Sequence, residues 1–183
     1  KKEEAEKVFK QALCLLSMLG TDEKYNYLRS TIKGQMASLF SSTNLTKDNK
    51  MGLFLIQEAF DFLSFNGEIK AGIPRFVCYH YATLGHIYCR YGMYEEALKE
   101  GFTKTMYIIE NKLDGCPHYI IKIFTQSGIG ECYFWQGSYE KAKDLLRYVV
   151  DRTYELRGRE FSPVYKPQTY LMASYYKLGL YKE

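Results

Sequence analysis

Apolar and aromatic positions recur along this chain at helical spacing, in blocks that restate one another. Tyr81, Leu84, Gly85 and Tyr88 stand at i, i+3, i+4 and i+7, one face of a helix. Gln126, Ile129, Gly130 and Tyr133 write the same face again with a polar residue first. Each of these helices is expected to end at a glycine, Gly92 or Gly137, and a third at Gly179, because glycine adopts the left-handed conformation that closes a helix. A second helix follows at once, with Ser138 placed to cap its start and Glu140 in its first turn. These second helices should run to about Leu113 and Leu156, before Gly115 and Gly158, with Pro117 and Pro163 shortly after. Ser162 and Pro163 then read as N-cap and first helical residue of the next unit.

The blocks superimpose at fixed offsets. Shifting by 45 residues brings Gly85 onto Gly130, Tyr88 onto Tyr133, Gly92 onto Gly137, Tyr94 onto Tyr139, Glu95 onto Glu140 and Ala97 onto Ala142. Shifting by 42 brings Ile129, Tyr133, Gly137 and Tyr139 onto Leu171, Tyr175, Gly179 and Tyr181. A repeat of this length means tandem supersecondary units that bury their apolar faces on one another. Small residues at Ala97 and Ala142 should let the two helices of a unit approach closely, against Gly85 and Gly130. Five stretches follow: 1–20 as the second helix of a truncated unit, 22–67 as a divergent helix pair, 75–115 and 119–160 as full units, and 164–183 as a truncated one. In the divergent pair, helices are expected at about 23–41 and 50–65, joined by an enlarged turn, SSTNLTKDNK. Beginning and ending inside a unit, the chain reads as a piece of a longer array.

Apolar or aromatic, Leu, Gly and Tyr on a first helix, Gly and Tyr at the turn, then Ala on a second helix: this pattern resembles the tetratricopeptide repeat. The periods of 42 and 45 exceed the usual 34. The longer unit with its Gly-then-Pro linker looks like the kinesin light chain type, without that family's charged linker. The resemblance implies an all-α, right-handed solenoid of tandem antiparallel helix pairs.

Composition narrows the function classes. Hydrophobic residues make up 46% and charged residues 25%, which suits a folded chain. The net charge, 25 basic minus 21 acidic or +4, is dispersed, so no basic stripe argues for nucleic acid. No apolar run approaches the ~18 residues of a membrane span. Five cysteines, Cys14, Cys78, Cys89, Cys116 and Cys132, lack CxxC spacing and read as small buried hydrophobes of a reducing compartment, hence a cytoplasmic protein. The chain is tyrosine-rich, with 18, suiting half-buried seams and contact surfaces.

Candidate chemistry is thin. Cys78, His80, His86 and Cys89 have metal-ligand side chains, but at ~100° per residue His80 points about 200° away from Cys78. Cys78 and Cys89 also lie ~16 Å apart along a helix axis, so no single ion collects the four. His86 and Cys89 are i, i+3 neighbours without an orienting third group or an oxyanion hole. The sequence has no GxxxxGK[ST] or GxSxG. No enzyme activity, cofactor or metal is expected of this stretch.

What remains is surface. Opposite the seam, the first helices carry Tyr79, His86, Cys89 and Arg90 in one unit, and Phe124, Ser127, Glu131, Phe134 and Trp135 in the next. The truncated unit adds Lys166, Thr169, Tyr176 and Lys177. The resemblance puts this face on the concave side of a solenoid, where extended segments bind. An aromatic floor flanked by Arg90, Lys166 and Lys177 suits a peptide with an aromatic or aliphatic anchor and acidic neighbours. Plain packing between units fits the aromatic positions as well. The leading expectation is a non-catalytic protein-interaction scaffold that binds a partner peptide or helix through Tyr79, His86, Arg90, Phe124, Glu131, Phe134, Trp135, Tyr176 and Lys177. The alternatives are a ligand- or peptide-sensing regulatory segment and the helical appendage of an enzyme.

Overall fold

The computed structural model describes residues 2–20, 25–41, 46–65, 68–69, 74–112, 119–157 and 165–180. The described chain is helical: α1 (Lys2–Met18), α2 (Asn26–Ser41), α3 (Thr46–Leu63), α4 (Pro74–Arg90), α5 (Tyr94–Glu96), α6 (Thr103–Lys112), α7 (Tyr119–Trp135), α8 (Tyr139–Arg157) and α9 (Tyr165–Lys177). A π-helical turn, Ala97–Phe102, joins α5 to α6 into one continuous rod. The sole extended structure described is a two-residue antiparallel ladder, β1 (Ser64–Phe65) with β2 (Glu68–Ile69). No described helix is long and apolar enough to cross a membrane.

The repeated Tyr-x-x-x-Gly string has a backbone cause. Gly92, Gly137 and Gly179 sit at φ of 72°, 77° and 74°. In each case the residue after the glycine donates its N–H back to a tyrosine carbonyl: Met93 to Tyr88, Ser138 to Tyr133 and Leu180 to Tyr175, at 3.0, 2.9 and 3.0 Å. The glycine N–H bonds one residue further on, to Cys89, Phe134 and Tyr176. This is the Schellman closure, and it satisfies carbonyls that the helix end would otherwise leave open.

Neighbouring helices run antiparallel, because the contacts nest around each turn. Ser30 Oγ donates to the Ala59 carbonyl and Lys33 pairs with Glu58, joining α2 to α3. Thr105 Oγ1 reaches the Cys78 carbonyl across α4 and α6. The Tyr154–Gln168 and Arg147–Tyr175 bonds join α8 to α9. First helices also touch one another, α2 on α4, α4 on α7 and α7 on α9. Met36, Ala37, Leu55, Ile56, Ala59 and Ile87 form one buried cluster between α2, α3 and α4, with Phe9 and Leu13 of α1 packed against it. A second gathers Cys89, Ala97, Phe102 and Cys132.

Several expectations shift. The segment SSTNLTKDNK is partly helical, since α3 starts at Thr46; Asp48 in its first turn favours the helix dipole and holds Lys2 of α1. Cys14 is exposed, unlike buried Cys78, Cys89 and Cys132. Gly85 and Gly130 do mark close helix contacts, but their nearest neighbours lie one turn beyond the alanines. A Cβ on Gly130 would fall 2.6 Å from Leu146 Cγ, and one on Gly101 only 2.4 Å from Gly85 Cα. Ala97 and Ala142 are fully buried beside these crossings. The linker residues Gly115, Pro117, Gly158, Ser162 and Pro163, with Cys116 and Tyr181, lie outside the described residues.

Candidate functional site

Two parallel stripes build the site. Tyr79, His86 and Arg90 recur on α4 at spacings that keep one helix face, as do Phe124, Ser127, Glu131 and Trp135 on α7. The stripes meet at His86, whose Nε2 lies 3.3 Å from the Phe124 carbonyl oxygen and whose ring lies on the Phe124 ring, centroids 4.1 Å apart. The Phe102 ring stands edge-on to His86 at 5.0 Å. Burial, then the nearby Lys166 ammonium, pushes the His86 pKa down to about 3, so the ring is neutral. Its working contact is packing. Cys89 does not pair with it in a nucleophilic arrangement; its Sγ lies 3.3 Å from Cys132 Sγ. That contact and burial raise the Cys89 pKa, keeping the thiol protonated.

About two turns beyond Phe124 along α7, Glu131 is only 5% exposed. Its carboxylate accepts from Lys166 Nζ at 2.5 Å and from the Tyr170 hydroxyl at 2.9 Å, both on α9. Glu131 and Lys166 therefore neutralise each other within the wall. Tyr170 takes a second bond, from the Trp135 indole N–H at 3.3 Å. Burial, then the Glu131 charge, raises the Tyr170 pKa to about 12, so it remains a phenol that can donate.

Trp135 is 53% exposed, yet its ring is held on several sides. Tyr94 stacks parallel to it, 9° between planes and 6.2 Å between centroids. Phe134 and Tyr170 meet it edge-on at 5.4 and 6.2 Å. Phe134 is half-buried and also packs on Tyr139 and Tyr170. The structure thus unites His86 with Phe124, and Glu131, Phe134 and Trp135 with Tyr170. Arg90, Tyr176 and Lys177 are exposed, the latter two at the end of α9. Thr169 is exposed as well, its hydroxyl spent on the Tyr165 carbonyl.

A cavity of about 340 Å³ opens beside the other end of the stripes. Tyr79 and Phe124 are in its wall, with residues of α2, α8 and α9. Among the described residues no group of three or more His, Cys, Asp or Glu side chains is placed to hold a metal ion. Compared with family models, curated proteins and solved structures, the chain gives no match.

Sequence reasoning missed Tyr94 and Tyr170, which hold Trp135, and the cavity. Tyr94 was visible as a repeat position, but its repeat role at the turn hid its stacking role. Tyr170 has no counterpart in the repeat pattern, and only the α7–α9 contact reveals it.

Proposed function

We propose that this chain is a non-catalytic protein-interaction scaffold, a superhelix of tetratricopeptide-like helix pairs that binds a partner peptide or helix on the face of its first helices. Three identical helix closures, nested antiparallel pairs and contacts between successive first helices support the solenoid. The observation that carries the function is Trp135, half-exposed and yet fixed by a Tyr94 stack and a Tyr170 hydrogen bond. An aromatic side chain held rigid before binding loses little entropy on contact, and Trp is among the residues that dominate interface energies. Exposed Lys177 and Arg90 favour acidic residues beside the partner's apolar or aromatic anchor.

Panning a random peptide library against the purified chain tests this. The peptides enriched should carry an aromatic or aliphatic anchor with acidic neighbours. Trp135→Ala and Arg90→Ala should weaken them at least about tenfold, or about 1.4 kcal/mol, while outer-face Lys99→Ala does not. Retained binding in both variants, with helicity and melting temperature preserved, overturns the reading.

A further inference from the structure

The cavity differs in kind from the Trp135 ledge. Its walls come from five helices, with Ile120, Ile121, Phe124, Val149 and Leu156 supplying apolar surface. No Asp, Glu, Lys or Arg is among its described lining residues. His80 forms part of the wall and is 3% exposed. Its Nε2 lies 2.7 Å from Ser30 Oγ and its ring meets Phe60 edge-on. The ring lies against Gly34, where a Cβ would come within 2.3 Å of Cε1. His80 is therefore a fixed wall, and burial lowers its pKa to about 4, leaving it uncharged. A charged ligand would lose its hydration here and gain no counter-charge, which is strongly unfavourable.

The wall is not uniformly apolar. Thr83 is 7% exposed and lines the cavity, and its hydroxyl has no hydrogen-bond partner among the described residues. The same holds for the half-buried Ser38 and Ser127 on the facing helices. A concave, mostly apolar space with a few convergent polar groups is the usual form of a small-molecule site, and about 340 Å³ is within the usual size range. We propose that this cavity binds one small, uncharged, mainly apolar molecule, oriented by a hydrogen bond to the Thr83 hydroxyl. Such a ligand touches α2, α4, α7, α8 and α9 at once, and so ties successive helix pairs together. The proposal stands independently of peptide binding at Trp135.

The test uses the purified chain and two fluorescent probes that share one skeleton. N-phenyl-1-naphthylamine is neutral, apolar and carries one N–H; 8-anilino-1-naphthalenesulfonate adds a fixed negative charge. The neutral probe should saturate at one per chain, and the sulfonate should bind that site at least tenfold more weakly. Ser38→Phe and Ser127→Phe, on different helices, fill the cavity from opposite walls and should each weaken the neutral probe at least tenfold. Thr83→Val keeps the shape and should weaken it severalfold, whereas Trp135→Ala should not change it. Circular dichroism and thermal melting identify which filling variants remain folded, and either alone decides. Absence of one-to-one saturation, equal binding of the sulfonate, or unchanged affinity in a folded filling variant overturns the proposal. So does a loss on Trp135→Ala equal to that of the fillers, which would put the probe on the ledge.

Discussion

The Phe102 ring occupies the place where Gly128 would carry a Cβ, which would lie 2.3 Å from Phe102 Cζ; one on Gly85 would lie 2.6 Å from Cε1. Two glycines on adjacent first helices thus form a socket for one aromatic ring, itself fully buried. Gly128→Ala should destabilise despite alanine's better helix propensity, worth only ~1 kcal/mol, because overpacking typically costs ~1–3 kcal/mol. Gly101→Ala should cost more, since its Cβ would meet the Gly85 backbone, which cannot rotate away. Urea denaturation measures both. A Gly101→Ala protein as stable as the parent would contradict this packing.

The buried histidine makes stability depend on pH. His80 is neutral in the fold, its pKa near 4 through burial, whereas an unfolded chain binds that proton at about 6.5. Between those values the unfolded state takes up the proton and the folded state does not, so stability present above pH 6.5 is lost as pH falls toward 4. The full loss is about 3 kcal/mol, at 1.36 kcal/mol per unit of pKa difference. His86 acts in the same direction. Urea midpoints should fall between pH 7 and 5, before ordinary carboxylates protonate, and the His80 ring signals in NMR should stay in the neutral form down to pH 5. A flat stability profile over that range would rule this out.

The helix closures at Gly92, Gly137 and Gly179 were legible in the sequence because a helix end is local. A glycine closing a helix and a tyrosine five residues before the closing N–H need no knowledge of distant contacts. The socket for Phe102 was not legible, because at an offset of 45 the same place is filled by Leu146 against Gly130. Volume moved from one residue to its neighbour, through the π-helical turn at Ala97–Phe102, and a repeat comparison treats that as mismatch. Glu131 shows the same limit for the site. Helix periodicity put it on the exposed face of α7, where Lys166 and Tyr170 of α9 instead bond its buried carboxylate.

The cysteines should separate by reactivity. Cys14 is exposed, whereas Cys78, Cys89 and Cys132 are buried. Burial raises the Cys78 pKa to about 12, and Cys89 is also held protonated; the thiolate, not the thiol, is the nucleophile. In native protein at pH 8, Cys14 should react with an aromatic disulfide reagent within the first phase, and the three buried thiols only as the chain unfolds. Mapping the modified sites by mass spectrometry checks this. Rapid native labelling of Cys89 or Cys132 would show that the α4–α7 seam opens.

Removing one hydroxyl should test how the ledge is held. Tyr170→Phe keeps the ring that packs on Phe134 and Trp135 but deprives Glu131 Oε1 and the Trp135 indole N–H of their partner. Glu131 is buried, so its unmet oxygen should cost ~1–3 kcal/mol of stability. The indole N–H is nearer solvent and turns to water, so the ring loses its fixed orientation. Trp135 is the one tryptophan in the chain, and fluorescence therefore reports it alone. Its emission should shift to the red and its anisotropy should fall, while Tyr148→Phe, at an exposed position on α8, leaves both unchanged. If the scaffold reading holds, peptides that need Trp135 should bind Tyr170→Phe severalfold more weakly, since an indole freed before binding must be ordered during it. Unchanged emission, anisotropy and peptide affinity in folded Tyr170→Phe would mean that the Tyr94 stack alone fixes the ledge.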